Sequence, residues 1–352
     1  TKSSMEESGC VCIHGNGILK DAHTVVVDGK EYTAEYIVLG PGERDNKLEI
    51  PGKEFIHGSR DMLSIEHMPH RIVFIGAGII SMEFASMAVD LGSEVTVIDH
   101  GDHALKAYPR EYVEEVVKSM EKKGAQFKYN EDVCAIEKTA TGLKVKTKSG
   151  FEVEADYVLE ATGRPVNYEG LGLEKLGIEA GPRGIKVDDH LRTSVKNIFA
   201  TGDAIEKRIP KLTPTALFES QYIADLLLGK TDKPISYPVV PNLVFTFPRI
   251  AQVGVPLDQT RKDSKYRVVD IPIGQAMLFN THHETDAKLA YIFDKESNLL
   301  VGAAAIGADA GSWIDVLSLV IFNKMTKDQF AYYIYAFPTR TSTPLIILGQ
   351  IW

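Results

Sequence analysis

The stretch Arg71 to Asp99, RIVFIGAGIISMEFASMAVDLGSEVTVID, constrains the fold of this chain more than any other. Ile72 to Ile75 is an apolar run too short for a helix, and it stops at Gly76-Ala77-Gly78, so it reads as a buried strand entering a tight turn. Beyond the turn, Ile80, Phe84, Ala88 and Leu91 recur at helical spacing. Gly92 marks the end of that helix, and Val95 to Ile98 reads as a second strand. The whole is a βαβ unit. Gly76 permits the turn, and Gly78 lets backbone approach a pyrophosphate at the positive end of the helix. Ser81 stands where a third glycine would allow close helix–strand packing and is small enough to do the same. Gly76, Ala77, Gly78, Ile79, Ile80 and Ser81 are therefore the expected dinucleotide cradle, the alternative being a helix-packing turn without a ligand. Asp99 follows about 20 residues on, where a carboxylate accepts hydrogen bonds from an adenosine ribose. It would repel a 2′-phosphate, which favours NADH over NADPH, while His100 and Lys106 beside it weigh the other way.

A length of 352 residues predicts two or three domains. Net charge of −9 argues against a nucleic-acid or anionic-membrane partner. No apolar run approaches the roughly 20 residues that span a bilayer, and no signal peptide is visible, which makes the cytoplasm the expected compartment. Three cysteines, Cys10, Cys12 and Cys134, are too few for a disulfide framework and fit a reducing compartment. In a strand, Cys10 and Cys12 would share a face, a spacing suited to burial rather than to redox chemistry.

The residues from Gly9 onward read as strands, with Val25 to Val27, the Asp28-Gly29 turn and Tyr32 to Ala34 forming a hairpin. A domain that opens in mid-sheet leads us to expect further sequence before Thr1. After the βαβ unit come a helix from Pro109 to Lys123, stopped by Gly124, and strands at 125–129, 133–138, 143–148 and 157–161. Short strands follow at 185–189 and 197–203, then a helix from Pro214 to Leu228 with Thr213 as N-cap. Past the proline-rich hinge Ile235 to Pro241 the pattern is antiparallel, with strands at 243–247, 266–271, 288–294 and 299–306 and a closing helix from Ser312 to Asn323. Within this part, Asp203 ends a strand beside a helix N-terminus, a position suited to a hydroxyl-bearing ligand and equally to a turn residue.

In this order the segments RIVFIGAGIISMEFA, VTVID, LEATGRPVN, IKVDDHLRTSVKNIFATGDA, LTPTALFES and PNLVFTFPRIAQVGV resemble the pyridine nucleotide–disulfide oxidoreductase family, the glutathione reductase and lipoamide dehydrogenase group. The resemblance runs from about Gly9 to Thr341. It implies an α/β fold of three-layer, Rossmann-like FAD- and NAD(P)-binding domains plus a C-terminal α+β dimerisation domain. The corresponding boundaries are 1–69 with 165–237 for FAD, 70–164 for NAD(P) and 238–352 for a homodimer interface. It carries Gly202 and Asp203 over to the FAD ribityl-phosphate region, Leu212 and Thr213 to the flavin pyrimidine edge, and Gly42 to the turn beside the FAD adenine. Glu83 falls near the nicotinamide, and Gly163 and His100 border the dinucleotide groove.

Two departures shape the functional expectation. The family's FAD fingerprint and its redox-active Cys-x4-Cys lie before the position where this sequence starts. The family's acid/base loop, His-Pro-Thr-x-Ser/Thr-Glu, is here Phe337-Pro338-Thr339-Arg340-Thr341-Ser342, without the histidine or the glutamate. The expected activity is thus FAD-dependent NAD(P)H oxidation, with hydride passing to flavin and on to a small-molecule acceptor. That acceptor is a disulfide if the cysteine pair exists. Otherwise the chain fits a His-less branch such as a transhydrogenase or a quinone or oxygen reductase, or a non-catalytic nucleotide-binding dimer. The Phe337-Pro338 bond is a candidate for the cis isomer. His282-His283-Glu284 reads as a solvated turn rather than a metal site, and no metal is expected.

Overall fold

A computed structural model describes residues 2–352. Its contacts divide the chain into two units, one formed by residues up to Arg44 with Arg164–Ser236, the other by Asp45–Gly163 with Tyr237–Trp352.

The first unit contains an antiparallel sheet of Gly17–Asp21, Thr24–Val27 and Lys30–Thr33. Asp28 (φ 49°) and Gly29 (φ 79°) make the expected hairpin turn, in which both central residues take positive φ. A short parallel pair, Ile37–Leu39 beside Ile198–Ala200, leads into the helix Thr213–Leu227. Leu19, Ile37, Val166, Phe199 and Ile223 pack together as the core of this unit. Three expectations fail here. The segment around Cys10 and Cys12 joins no sheet, so its alternation has no face to bury; Cys10 is exposed and Cys12 half-buried. The strand expected at 185–189 shrinks to Gly184–Ile185 because Asp188 turns the chain, its Oδ1 accepting from the amides of His190 and Arg192 at 2.8 Å each. Leu212, extended at φ −130°, is the N-cap, and Thr213 is already helical.

The second unit is built on a parallel sheet in the order Ile56–His57, Tyr157–Glu160, Arg71–Ile75, Glu94–Asp99, Gln126–Tyr129. Its three central strands, Tyr157–Glu160, Arg71–Ile75 and Glu94–Asp99, are buried on both faces, as their apolar runs require. The helix Ile79–Asp90 buries Ser81, Met82, Ala85, Ser86, Ala88 and Val89; of the expected Ile80–Phe84–Ala88–Leu91 stripe, Ala88 is buried and Ile80 and Phe84 are half-buried. Close approach to the strands selects small side chains, and Leu91 is left 64% exposed. The helix Arg110–Lys122 buries Tyr112, Val113, Val116 and Met120 on one face. Residues 45–69, expected with the FAD segment, fold here instead. Ile56–His57 extends the parallel sheet, and Leu48, Ile50 and Phe55 pack on Val73, Ile98 and Ile136.

The C-terminal segment of this unit forms an antiparallel sheet, ordered Asn242–Val244, Ile250–Gly254, Leu300–Ile306, Lys288–Asp294, Tyr266–Ile271, backed by Ala310–Phe322 and Ser342–Ile351. One core spans both halves of the unit: Phe74, Met82, Val97 and Val116 lie in the same cluster as Val244, Ile250, Ile292 and Ile306. A second cluster around Trp313, Phe293 and Trp352 closes the C-terminal half. Among the described residues, no helix is long and apolar enough to cross a membrane.

Candidate cofactor sites

In the second unit the glycine turn has the geometry its sequence implies. Gly76 sits at φ 98°, and a Cβ there would lie 2.6 Å from the Ala161 carbonyl, so no other residue fits without displacement. Gly78 is different. Its φ is −79° and a Cβ would meet nothing within 4 Å, so what glycine provides there is open backbone. The helix that follows has no side-chain cap and no acid in its first turn, leaving amides at Ile79, Ile80 and Ser81 facing positive-end space. Ser81 is fully buried, and its hydroxyl has no partner.

Asp99 is buried beside this turn. Its Oδ2 accepts from the Ala77 amide at 2.8 Å and its Oδ1 from Gly101 at 2.6 Å. His100 is largely exposed, with Nδ1 4.0 Å from Asp99. Gly163, exposed and at φ 142°, borders the same sheet end. Glu83, half-buried on the Ile79–Asp90 helix, accepts from the Phe245 amide at 2.8 Å. Burial pushes its carboxyl up from the ordinary value, against the lowering effect of that hydrogen bond. Tyr108 nearby is pushed up to about 12, by burial first and by Glu83 second. One helical turn on, Ser86 Oγ accepts from the Phe247 amide at 2.9 Å, so the 245–247 segment grips the helix at two points.

Sequence reading missed Glu160. It is 3% exposed, accepts from the Leu48 amide at 2.9 Å and the Thr162 hydroxyl at 2.6 Å, and so braces the Thr162-Gly163 turn. An acid inside the apolar strand Tyr157–Glu160 was the available signal.

The first unit holds the residues expected at a flavin. Gly42, at φ 67°, accepts from the Asn167 amide at 2.9 Å and fixes its turn. Gly202 is at φ 71° and donates to Glu219 Oε2 at 2.7 Å. Asp203 is half-buried and, among the described residues, has no hydrogen-bond or ion-pair partner. The helix starting at Thr213 has no side-chain cap, and Thr215, 4% exposed in its first turn, has an unpartnered hydroxyl. An unpaired carboxylate beside an uncapped helix with an orphaned buried hydroxyl fits a ligand that offers hydroxyls and a negative edge, as FAD does.

Phe337 is 73% exposed, and the Phe337-Pro338 bond is cis, as expected. Ser342, expected at the glutamate position of the resembled loop, is buried. Its Oγ accepts from the Thr339 amide at 3.1 Å and donates to the Thr339 carbonyl at 2.7 Å, so it serves the loop and not an imidazole. Arg340 forms ion pairs with Glu284 and Asp309 and lies 4.9 Å from the Phe279 ring. The loop is rigidly tethered, yet its tip carries no proton-transfer group. His282 and His283 lie on an exposed turn. Among the described residues, the one group spaced for a metal is Asp188, Asp189 and His190, where the imidazole already bonds Asp189 and the Asp232 carbonyl.

Comparison with known proteins decides the family. The model for pyridine nucleotide-disulphide oxidoreductases matches residues 2–220, and the model for the dimerisation domain of the same enzymes matches 240–344. The chain belongs to the pyridine nucleotide-disulphide oxidoreductase family. It is 31% identical to glutathione reductase of Nostoc sp., over 93% of this chain and 74% of that protein. Identity to the chloroplastic/mitochondrial glutathione reductase of Pisum sativum is 33%, over 96% and 61%. Dihydrolipoyl dehydrogenase of Geobacillus stearothermophilus is 32% identical, over 93% and 71%. The chain thus spans 61% to 74% of the length of these relatives. In fold it matches LpdA from Mycobacterium tuberculosis with a TM-score of 0.90, at 22% identity, over the whole of this chain and 79% of that one. The family consists of flavin-dependent oxidoreductases that use a pyridine nucleotide.

Proposed function

We propose that the chain is the nucleotide-handling and dimerising part of an FAD-dependent NAD(P)H oxidoreductase, with NADH preferred. The observation that carries this reading is the contrast between Gly76 and Gly78. One is forced to be glycine by backbone packing, and the other is open at an uncapped helix where only a closely approaching ligand gives glycine a purpose. When bound, FAD would accept hydride from reduced nicotinamide and pass two electrons to the acceptor. The chain's own part is to hold and orient. Glu83, kept less acidic by burial, would serve as a hydrogen-bond partner at the nicotinamide end of the groove. Asp203 would take hydroxyls of the FAD ribityl-phosphate region, and the amides following Leu212 would face the flavin's electron-rich edge.

On the acceptor side, Phe337 and Ser342 cannot exchange a proton with a thiol, which favours acceptors such as a quinone, oxygen or a second nicotinamide. Disulfide reduction is the second reading, supported by the glutathione reductases and dihydrolipoyl dehydrogenases among the relatives. The homodimer is assigned to 238–352, supported by the matched dimerisation model and by exposed Leu319, Phe322, Tyr332 and Ile334.

Anaerobic titration of the full-length protein with NADH separates the two readings. The first expects simple bleaching of the flavin band; a long-wavelength thiolate–flavin band would establish the second. A protein that binds neither nucleotide would remove both.

A further inference from the structure

Lys207 and Glu219 form an ion pair sealed inside the first unit: Nζ lies 2.6 Å from Oε1, and the side chains are 5% and 0% exposed. Burying two charges generally costs more than their attraction returns, and an apolar pair of similar volume is often as stable. Stability alone therefore does not account for the pair. The other carboxylate oxygen shows what does. Glu219 Oε2 accepts from the Gly202 amide at 2.7 Å and from the Thr201 hydroxyl at 3.2 Å. Glu219 sits two turns into the helix Thr213–Leu227, on the same buried face as Thr215, one turn closer to the helix start. One carboxylate thus ties the end of the strand Ile198–Ala200 to the body of that helix.

The two elements so joined are the Thr201–Asp203 turn and the helix whose N-terminus faces the expected flavin edge. Gly202, at φ 71°, gives that turn its shape but also its freedom, since glycine resists reorientation less than any other residue. The clamp removes that freedom. Lys207 takes Oε1 and leaves Oε2 to the Gly202 amide and the Thr201 hydroxyl.

We propose that the Lys207–Glu219 pair is a positioning device for flavin: without touching FAD, it fixes Asp203 relative to the N-terminus of the helix and so sets FAD affinity. This rests on the assignment of FAD to Asp203 and the Thr213 helix.

Two charge-neutral variants of the full-length protein test it. Lys207→Met with Glu219→Gln keeps an acceptor for Gly202, whereas Lys207→Met with Glu219→Met keeps none. The glutamine variant is expected to melt close to the unmodified protein, and the methionine variant below it, because its Gly202 amide is left without an acceptor. The glutamine variant should bind FAD within about threefold of the unmodified protein, and the methionine variant about tenfold or more weakly. In flavin-free protein, amide exchange at Gly202 should accelerate about tenfold in the methionine variant alone. Equal FAD affinity and equal Gly202 exchange in the two variants would overturn the proposal. If the methionine pair fails to fold, Thr201→Val decides instead. It removes one contact to Glu219 and leaves the ion pair, so FAD affinity should fall about threefold, and no change counts against the clamp. If the unmodified protein takes up no FAD, the flavin assignment falls and the flavin role falls with it. The exchange comparison then still reports whether Glu219 holds the turn.

Discussion

The Ala77 amide donates to Asp99 Oδ2 at 2.8 Å, so the carboxylate that ends the second strand of the dinucleotide fold is also a ligand of the glycine turn. Its other oxygen is taken by Gly101. Asp99→Ala therefore leaves two backbone donors without their acceptor, each costing about 1–3 kcal/mol if buried. We expect a lower melting temperature together with weaker NADH binding, read by thermal denaturation and by fluorescence titration. A folded Asp99→Ala protein with unchanged NADH affinity would sink the ribose assignment.

The two turn glycines should respond differently to alanine. Gly76→Ala drives a Cβ towards the Ala161 carbonyl at positive φ and should cost about 1–3 kcal/mol of stability. Gly78→Ala has room and an ordinary φ, so the melt should barely move while NADH affinity falls. Equal effects on both quantities at both positions would refute the division of labour.

The raised carboxyl of Glu83 has a pH signature. Its folded-state value lies above the unfolded one, so the stability it contributes is complete below the unfolded value near 4.5 and is lost as pH rises through the folded value. Glu83→Gln should remove that part of the slope in a series of denaturant melts. An unchanged slope would mean that burial is not penalising the charge.

Restoring the imidazole alone should not restore thiol chemistry. In Phe337→His the ring would have no carboxylate to orient it, since Ser342 is committed to Thr339. Disulfide reduction is expected to stay at its starting level, measured with oxidised glutathione and with lipoamide, and a large gain would show that the loop needs no second residue. Arg340→Met should cost about 1–3 kcal/mol, because Glu284 and Asp309 are left part-buried without their counter-ion.

Phe322, 61% exposed on the helix Ala310–Phe322, tests assembly. Phe322→Asp is expected to shift a dimer towards monomer in light scattering, and an unaltered mass would place the interface elsewhere.

The βαβ unit was legible because its strand lengths, glycines and terminal acid all act within thirty residues of one another. Its boundaries fell within one residue of those read from the pattern: Arg71–Ile75, Ile79–Asp90 and Glu94–Asp99. The buried face of the helix was not legible. Periodicity finds apolar residues, but the elements packed on this helix also accept small polar ones, so Ser81 and Ser86 are buried while Leu91 is exposed. Lys207 and Glu219 were hidden for a related reason. Each is a charged residue whose importance comes from backbone amides or a counter-ion brought up by folding, and nothing in its own neighbourhood announces them. The 337–342 loop showed the reverse case: its departure from the resembled pattern was read in the sequence, while the anchoring of Arg340 by Glu284 and Asp309 required the structure.

The shared core of the second unit bears on the order in which the molecule can fold. Phe74, Met82 and Val97 emerge from the ribosome long before Val244, Ile292 and Ile306, which complete their cluster. The first unit has all its pieces once Ser236 is made. During synthesis the earlier-begun nucleotide layer must therefore wait, with one apolar face uncovered, while the unit interrupting it finishes first. For this chain the vulnerable interval lies between residues 163 and 306, and chaperone demand should be greatest there.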